Sequence, residues 1–187
     1  MTHGQLHTPS SAHDAQAMVD FWLAAGPQKW FAKDEDFDAA FRNRFQEAHF
    51  AAARQKLEAW LQEPGSALAL ILLLDQYPRN AFRDTGHMFA TDGLALSYAR
   101  RSLVHLADIQ PSLRNFILLP YMHAEDLEAQ KTALDLYRQH APDSMPWAQE
   151  HHDIIARFGR FPHRNSALGR STTAAEQAFL NEGGFSG

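Results

Sequence analysis

Cysteine is absent from the 187 residues. That absence excludes disulfides, a thiolate nucleophile, cysteine-ligated zinc and iron–sulfur clusters. Lysine is scarce, with four lysines against thirteen arginines, and the net charge of -5 at pH 7 leaves no dense basic surface. Nucleic acid is therefore not an expected partner, because neutralising many phosphates needs a strongly basic face. Long apolar runs are missing as well. The longest, ALALILLL from Ala67 to Leu74, falls far short of the roughly 20 residues that cross a bilayer, so no membrane span is expected. The opening stretch MTHGQLHTPSSAHD has neither a basic leader nor an apolar core, which makes a cytoplasmic product the expectation. Neither H-E-x-x-H nor a P-loop occurs, and no metal or cofactor is expected.

What is present is helical periodicity. With 45% hydrophobic residues, the chain suits one domain with one core, expected over residues 13–182 with flexible ends at 1–12 and 183–187. Ser11 and Asp14 have capping-box spacing ahead of Met18, Phe21 and Trp22, and Thr173 and Glu176 repeat that spacing near the C-terminus. Phe37, Phe41 and Phe45 stand four apart after the acidic KDEDFD, whose carboxylates suit the positive end of a helix. Leu57, Trp60 and Leu61 mark a third helix, and Ser66 opens a fourth containing the apolar run. Further helical patterns cover about 89–106, 112–119, 125–140, 147–158 and 173–180, and no sustained two-residue alternation marks a strand. The expected class is all-α, with short helices packed as successive antiparallel pairs in a degenerate tetratricopeptide-like superhelical array. The consensus residues of that repeat are absent.

Three polar clusters interrupt the helices. In ILLLDQYPRN, Pro78 lacks an N–H and disfavours the α conformation at Tyr77, so the helix is expected to stop near Gln76 or Tyr77. Asp75 then lies at the negative end of a helix in a shielded place and needs a cation, with Arg79 and Arg83 nearby and Arg157 to Arg164 distant. It is either half of a lock between helices or part of a ligand pocket. In LLPYMHAED, Pro120 is expected to open a new helix on which His123 and Asp126 share a face. In HHDIIARFGRFPHRN, Arg157, Arg160, His163 and Arg164 surround a Gly-Pro loop, and forked guanidinium groups suit carboxylate or phosphate. An internal echo links YPRNAFRDTG at Tyr77 to Gly86 with FPHRNSALGR at Phe161 to Arg170, a hint that the two loops do similar work.

Five ordered blocks, KWFAKDEDFD, LDQYPRN, FATDGLAL, LPYMHAEDLEAQ and HHDIIARFGRFPHRNSALGR, resemble the bacterial domain-of-unknown-function family 924 from about Phe21 to Leu180. The resemblance implies an all-α fold similar to tetratricopeptide-like arrays and implies no activity. Tyr77 stands where that family is expected to carry phenylalanine, and Ala124 where it reads serine, so no serine-centred chemistry is expected at that block.

The first functional expectation is a pocket built from helix ends that binds, or binds and turns over, a small anionic ligand, phosphate or carboxylate. Asp75, Arg79, Asn80, Arg157, Arg160, Arg164 and Asn165 would bind it, and His123, Glu125 and His163 would move protons. The alternative is a helical groove for a protein or peptide partner, with the same side chains as internal locks. RNA stacking on Phe158 and Phe161 between Arg157 and Arg160 ranks behind both.

Overall fold

The apolar spacings fold as helices. The structure, a computed structural model, describes residues 11–185, with side chains from residue 15, and no strand occurs among the described residues. The helices are α1 (Ser11–Ala25), α2 (Pro27–Trp30), α3 (Glu35–Ala53), α4 (Pro64–Ile71), α5 (Tyr77–Ala81), α6 (Asp92–Ser102), α7 (Arg114–Met122), α8 (Leu127–His140), α9 (Met145–Phe158) and α10 (Ala174–Asn181). None of the described helices is long and apolar enough to cross a membrane.

The acidic stretch begins α3 as its charge pattern requires: Asp34 caps it by accepting the Phe37 N–H at 3.0 Å, with Glu35, Asp36 and Asp38 in the first turn. The expected capping box at Thr173 and Glu176 is present, with both reciprocal bonds made. The Ser11–Asp14 box falls on side chains outside the described residues, as do most of the expected flexible ends. Ser66 does not open its helix. Pro64 occupies the first turn of α4, and the Ser66 hydroxyl donates to the Trp60 carbonyl at 2.6 Å.

α1 lies across α4, α3 against α5, and α7 between α6 and α8, with α9 against α8. The rings of Trp22, Trp30, Phe37, Phe41 and Phe116 interlock in stacked and edge contacts that join α1, α2, α3 and α7. Beneath them the apolar run is buried on every side, no residue from Leu68 to Leu74 exceeding 2% exposure. A smaller cluster of Ile154, Ile155 and Phe161, with Phe158, Phe179 and Phe185 against it, docks α10 and fixes the base of the arginine-rich loop.

Two proline expectations are overturned. The helix does not stop at Tyr77, which is itself α-helical at φ -52°, ψ -47°. The backbone widens into a π-helical turn over Leu72–Gln76 and continues as α5. Pro78, with no N–H, can serve neither the Leu73 nor the Leu74 carbonyl. Side chains from elsewhere do so: the His49 ring bonds the Leu73 oxygen at 2.8 Å and the Thr91 hydroxyl donates to the Leu74 oxygen at 2.6 Å. Tertiary partners thereby offset what the proline takes away. Thr91→Val, which keeps the shape and deletes this donor, is expected to cost about 1–3 kcal/mol in urea unfolding because a buried carbonyl is left unpaired.

Pro120 likewise lies inside α7 instead of opening a helix. Its neighbours Phe116 to Met122 are all buried. Burial of that stripe outweighs the roughly 3 kcal/mol that an interior proline costs. His123 therefore terminates α7 while Asp126 caps α8 by accepting the Ala129 N–H at 2.7 Å, so the two do not share a helical face.

Candidate functional site

The π turn aims Asp75 out of the core. Its carboxylate is fully buried, with 0% exposure. It accepts from His123 Nδ1 at 2.8 Å and from the Gln76 amide at 2.6 Å, and Arg79 lies 3.4 Å away. Burial alone would raise its pKa. The charges of Arg79 and His123 and the two hydrogen bonds outweigh that and hold the carboxyl below its ordinary value. Asp75 is thus an ionised acceptor, and His123 must present Nδ1–H to it. Burial and the Arg79 charge push the His123 pKa down against the pull of Asp75. The neutral ring consequently keeps Nε2 as an unprotonated base.

Arg79 forks onto Asp92 at 2.9 and 3.0 Å and donates to the Asp75 carbonyl at 2.6 Å. Asp92 also accepts from Arg164 at 3.0 Å, which in turn donates to the His123 carbonyl at 3.0 Å. Arg164 lies between the rings of Phe89 and Phe161, 4.5 Å from each centroid. Desolvation in that sandwich lowers its pKa to about 10. The two echoed loops therefore meet on one carboxylate, Asp92, which joins Arg79 of the first to Arg164 of the second. The echo stops there: Asn80 and Arg83 both bond Asp38, whereas in the second loop Asn165 bonds Glu176 and the second arginine, Arg170, bonds Glu125.

Above this network opens a cavity of about 530 Å³. Trp30, Phe31, Phe89, Trp147 and Phe185 form its aromatic walls. Its polar floor carries Gln76, Arg79, Asn80, Arg83, His123 and Arg164, with His151 and His163 at one side. Of the residues anticipated from the sequence, Arg79, Asn80, His123, His163 and Arg164 line the cavity, and Asp75 lies directly beneath it. Glu125 faces a second cleft behind His123, where Arg170 grips it at 2.8 and 2.7 Å and the Phe161 N–H donates at 2.9 Å. Arg157 is exposed and covers the Phe158 and Phe179 rings, away from the cavity. Arg160 holds Glu176 at 2.6 and 2.9 Å, with the Arg160 guanidinium and the Thr173 N–H lowering the Glu176 pKa to about 2. Asn165 is buried against the same carboxylate. Arg83, a nearby candidate for Asp75, instead forks onto Asp38 at 2.6 and 3.2 Å.

Asp38, Asp92, Gln76 and His151 escaped sequence reasoning. Asp38 and Asp92 sit in first helical turns, where an acid reads as a dipole partner and nothing more. His151 donates from Nδ1 to the Trp147 carbonyl at 2.8 Å, and burial, with the nearby His123, pushes its pKa down to about 4. His163 is lowered to about 3, chiefly by burial and Arg164. The unfolded chain protonates these rings near pH 6.5 while the folded one resists, so stability falls as pH drops from about 6.5 towards 4. His151 alone accounts for roughly 3 kcal/mol of that loss by linkage. His151→Leu is expected to flatten the slope of urea stability between pH 7 and 4.5, and an unchanged slope would remove His151 as a source.

Fold and site together define an all-α protein with a carboxylate–histidine pair at the floor of an aromatic cavity. The chain belongs to the bacterial family of unknown function DUF924, whose sequence profile matches residues 18–184. It is similar to a solved protein of unknown function from Agrobacterium tumefaciens, at 50% identity over 92% of this chain and 99% of that chain, with a TM-score of 0.89. A comparison with curated proteins finds no match.

Proposed function

We propose that the cavity binds a small organic acid, carboxylate or phosphate, and that His123 exchanges a proton with it. The observation that carries this reading is the hydrogen bond from His123 Nδ1 to Asp75 at 2.8 Å, which leaves Nε2 as the free base of a residue lining the cavity. Arg83 supports the acid group. Its Nε and one terminal nitrogen are committed to Asp38 and the Ala32 carbonyl, and the other terminal nitrogen, with two N–H groups, is uncommitted among the described residues. The aromatic walls suit an apolar body. A thermal-shift screen of phosphorylated and carboxylated metabolites tests the reading. At least one acid is expected to raise the melting temperature of the wild type by several degrees and to do so less in Arg83→Ala. No stabilisation by any acid would overturn it.

A second reading, a groove for a peptide partner, draws support from Phe31 and Trp147, which line the cavity and are 66% and 58% exposed. Phe31→Ser with Trp147→Ser would abolish peptide capture yet reduce binding of a small acid only in part. We further infer that the helices descend from a tetratricopeptide-like array. Support comes from the consecutive packing of α7, α8 and α9, while the packing of α1 on α4 departs from a regular repeat.

A further inference from the structure

Two amides on the cavity wall are locked in one orientation. Gln76 at the end of the π turn, Arg79 and Asn80 on α5, and Arg83 in the turn that follows it all line the cavity. The Gln76 Nε2 lies 2.6 Å from an Asp75 oxygen and the Asn80 Nδ2 lies 2.7 Å from an Asp38 oxygen. Carboxylate oxygens accept, so the NH₂ end of each amide must face them and the carbonyl end must face away. Neither carbonyl oxygen accepts a hydrogen bond from a described residue, and neither is among the buried polar atoms sealed from solvent. Both side chains are nevertheless about nineteen-twentieths buried, at 4% and 5% exposure. What remains open of them is an acceptor, in a wall whose other surface is largely aromatic.

The histidines add to this. His123 gives its Nδ1–H to Asp75 and His151 gives its Nδ1–H to the Trp147 carbonyl, which leaves an Nε2 acceptor on each. Four acceptors with fixed identity thus surround guanidinium donors. Such a lining discriminates against a ligand that cannot donate, because its buried acceptors would stay unpaired. It also discriminates against an ammonium ion. Each nearby carboxylate is already committed: Asp38 to Arg83 and Asn80, Asp75 to Arg79, His123 and Gln76, and Asp92 to Arg79 and Arg164. Three carboxylates balance three arginines here, so an ammonium ion brought into this space would find no spare counter-charge.

We propose that the acid taken by this cavity carries a hydroxyl group close to its acid group and an aromatic or similarly apolar body. The ligand class is a hydroxy acid, in preference to a plain acid or an amino acid. The hydroxyl donates to the Gln76 or Asn80 carbonyl while the acid group lies against Arg83 and Arg79. This rests on the acid-binding reading above and extends it to the neighbouring substituent.

The test is calorimetric titration of the wild-type protein with a matched set: 3-phenyllactate, 3-phenylpropanoate, phenylalanine and 3-phenylpropane-1,2-diol. The lactate is expected to bind about tenfold more tightly than the propanoate, the worth of one satisfied acceptor, and more tightly than phenylalanine by at least as much. In Gln76→Met or Asn80→Leu, whichever folds, the ratio of lactate to propanoate affinity falls towards one. Equal binding of lactate and propanoate, or tightest binding of phenylalanine, overturns the hydroxyl proposal and leaves the acid reading intact. Binding of the diol with none of the acids overturns the acid reading and upholds the hydroxyl contact. Failure of all four to bind overturns the hydroxyl proposal, and the acid reading then stands or falls on the thermal-shift screen.

Discussion

Asp75→Ala is expected to destabilise the protein by about 3–5 kcal/mol, the cost of breaking a buried charge network from one side. The carboxylate has no exposure and is met by three donors, from His123, Gln76 and Arg79. Removing it leaves the His123 Nδ1–H and the Gln76 amide pointing at a void, with Arg79 held by Asp92 and the main-chain carbonyl of residue 75. Asp75→Asn separates charge from shape. Its amide fills the space, but His123 then faces a neutral group and is free to change tautomer, so Nε2 is no longer fixed as the unprotonated nitrogen while most of the stability returns. Chemical unfolding of both variants checks the first half of this expectation. A loss below about 1 kcal/mol in the alanine variant would mean that Asp75 is neither lock nor anchor.

Asp92→Ala is expected to cost a similar 3–5 kcal/mol, although Asp92 is less buried, because it strands two guanidinium groups at once. Arg164 is the more exposed to this loss: its side chain is only 6% accessible and its remaining side-chain bond is to the His123 carbonyl. The orphaned charge, not the missing contact, causes most of the damage. Adding Arg164→Met, which removes that charge and retains bulk between Phe89 and Phe161, is therefore expected to recover part of the stability lost in Asp92→Ala. A double variant that is weaker than the single one by the full cost of Arg164→Met alone would show that the two residues act independently.

The local elements of this fold were legible where the signal is local. The capping box at Thr173, the acidic start of α3 and the escape of Asp75 from an apolar run all follow from spacing within a few residues. What was not legible is which distant side chain answers each local demand. Pro78 announced a helix end, yet His49 and Thr91, from separate parts of the chain, satisfy the carbonyls it leaves and let the helix continue. Arg83 and Arg79 were equivalent neighbours of Asp75 in the sequence, but Arg83 is drawn to Asp38, which lies 45 positions away. Within the basic segment, burial of Phe161 turns Arg164 inward and leaves Arg160 to hold α10 through Glu176. Glu125 read as a proton carrier beside His123. The fold gives it to Arg170, and the role of holding His123 falls to Asp75, 48 positions earlier.

The central claim is that burial and Arg79 keep His123 neutral while Asp75 fixes its proton on Nδ1, with Nε2 free towards a cavity that receives an acid. Nitrogen-15 spectra of protein labelled in its histidine rings test it most directly, with His123→Gln to assign the signal. At pH 7 the His123 ring is predicted to show a protonated Nδ1 and an unprotonated Nε2, to titrate below the ordinary histidine value, and to shift at Nε2 when a stabilising acid is added. A ring found cationic at pH 7, or carrying its proton on Nε2, would contradict the account.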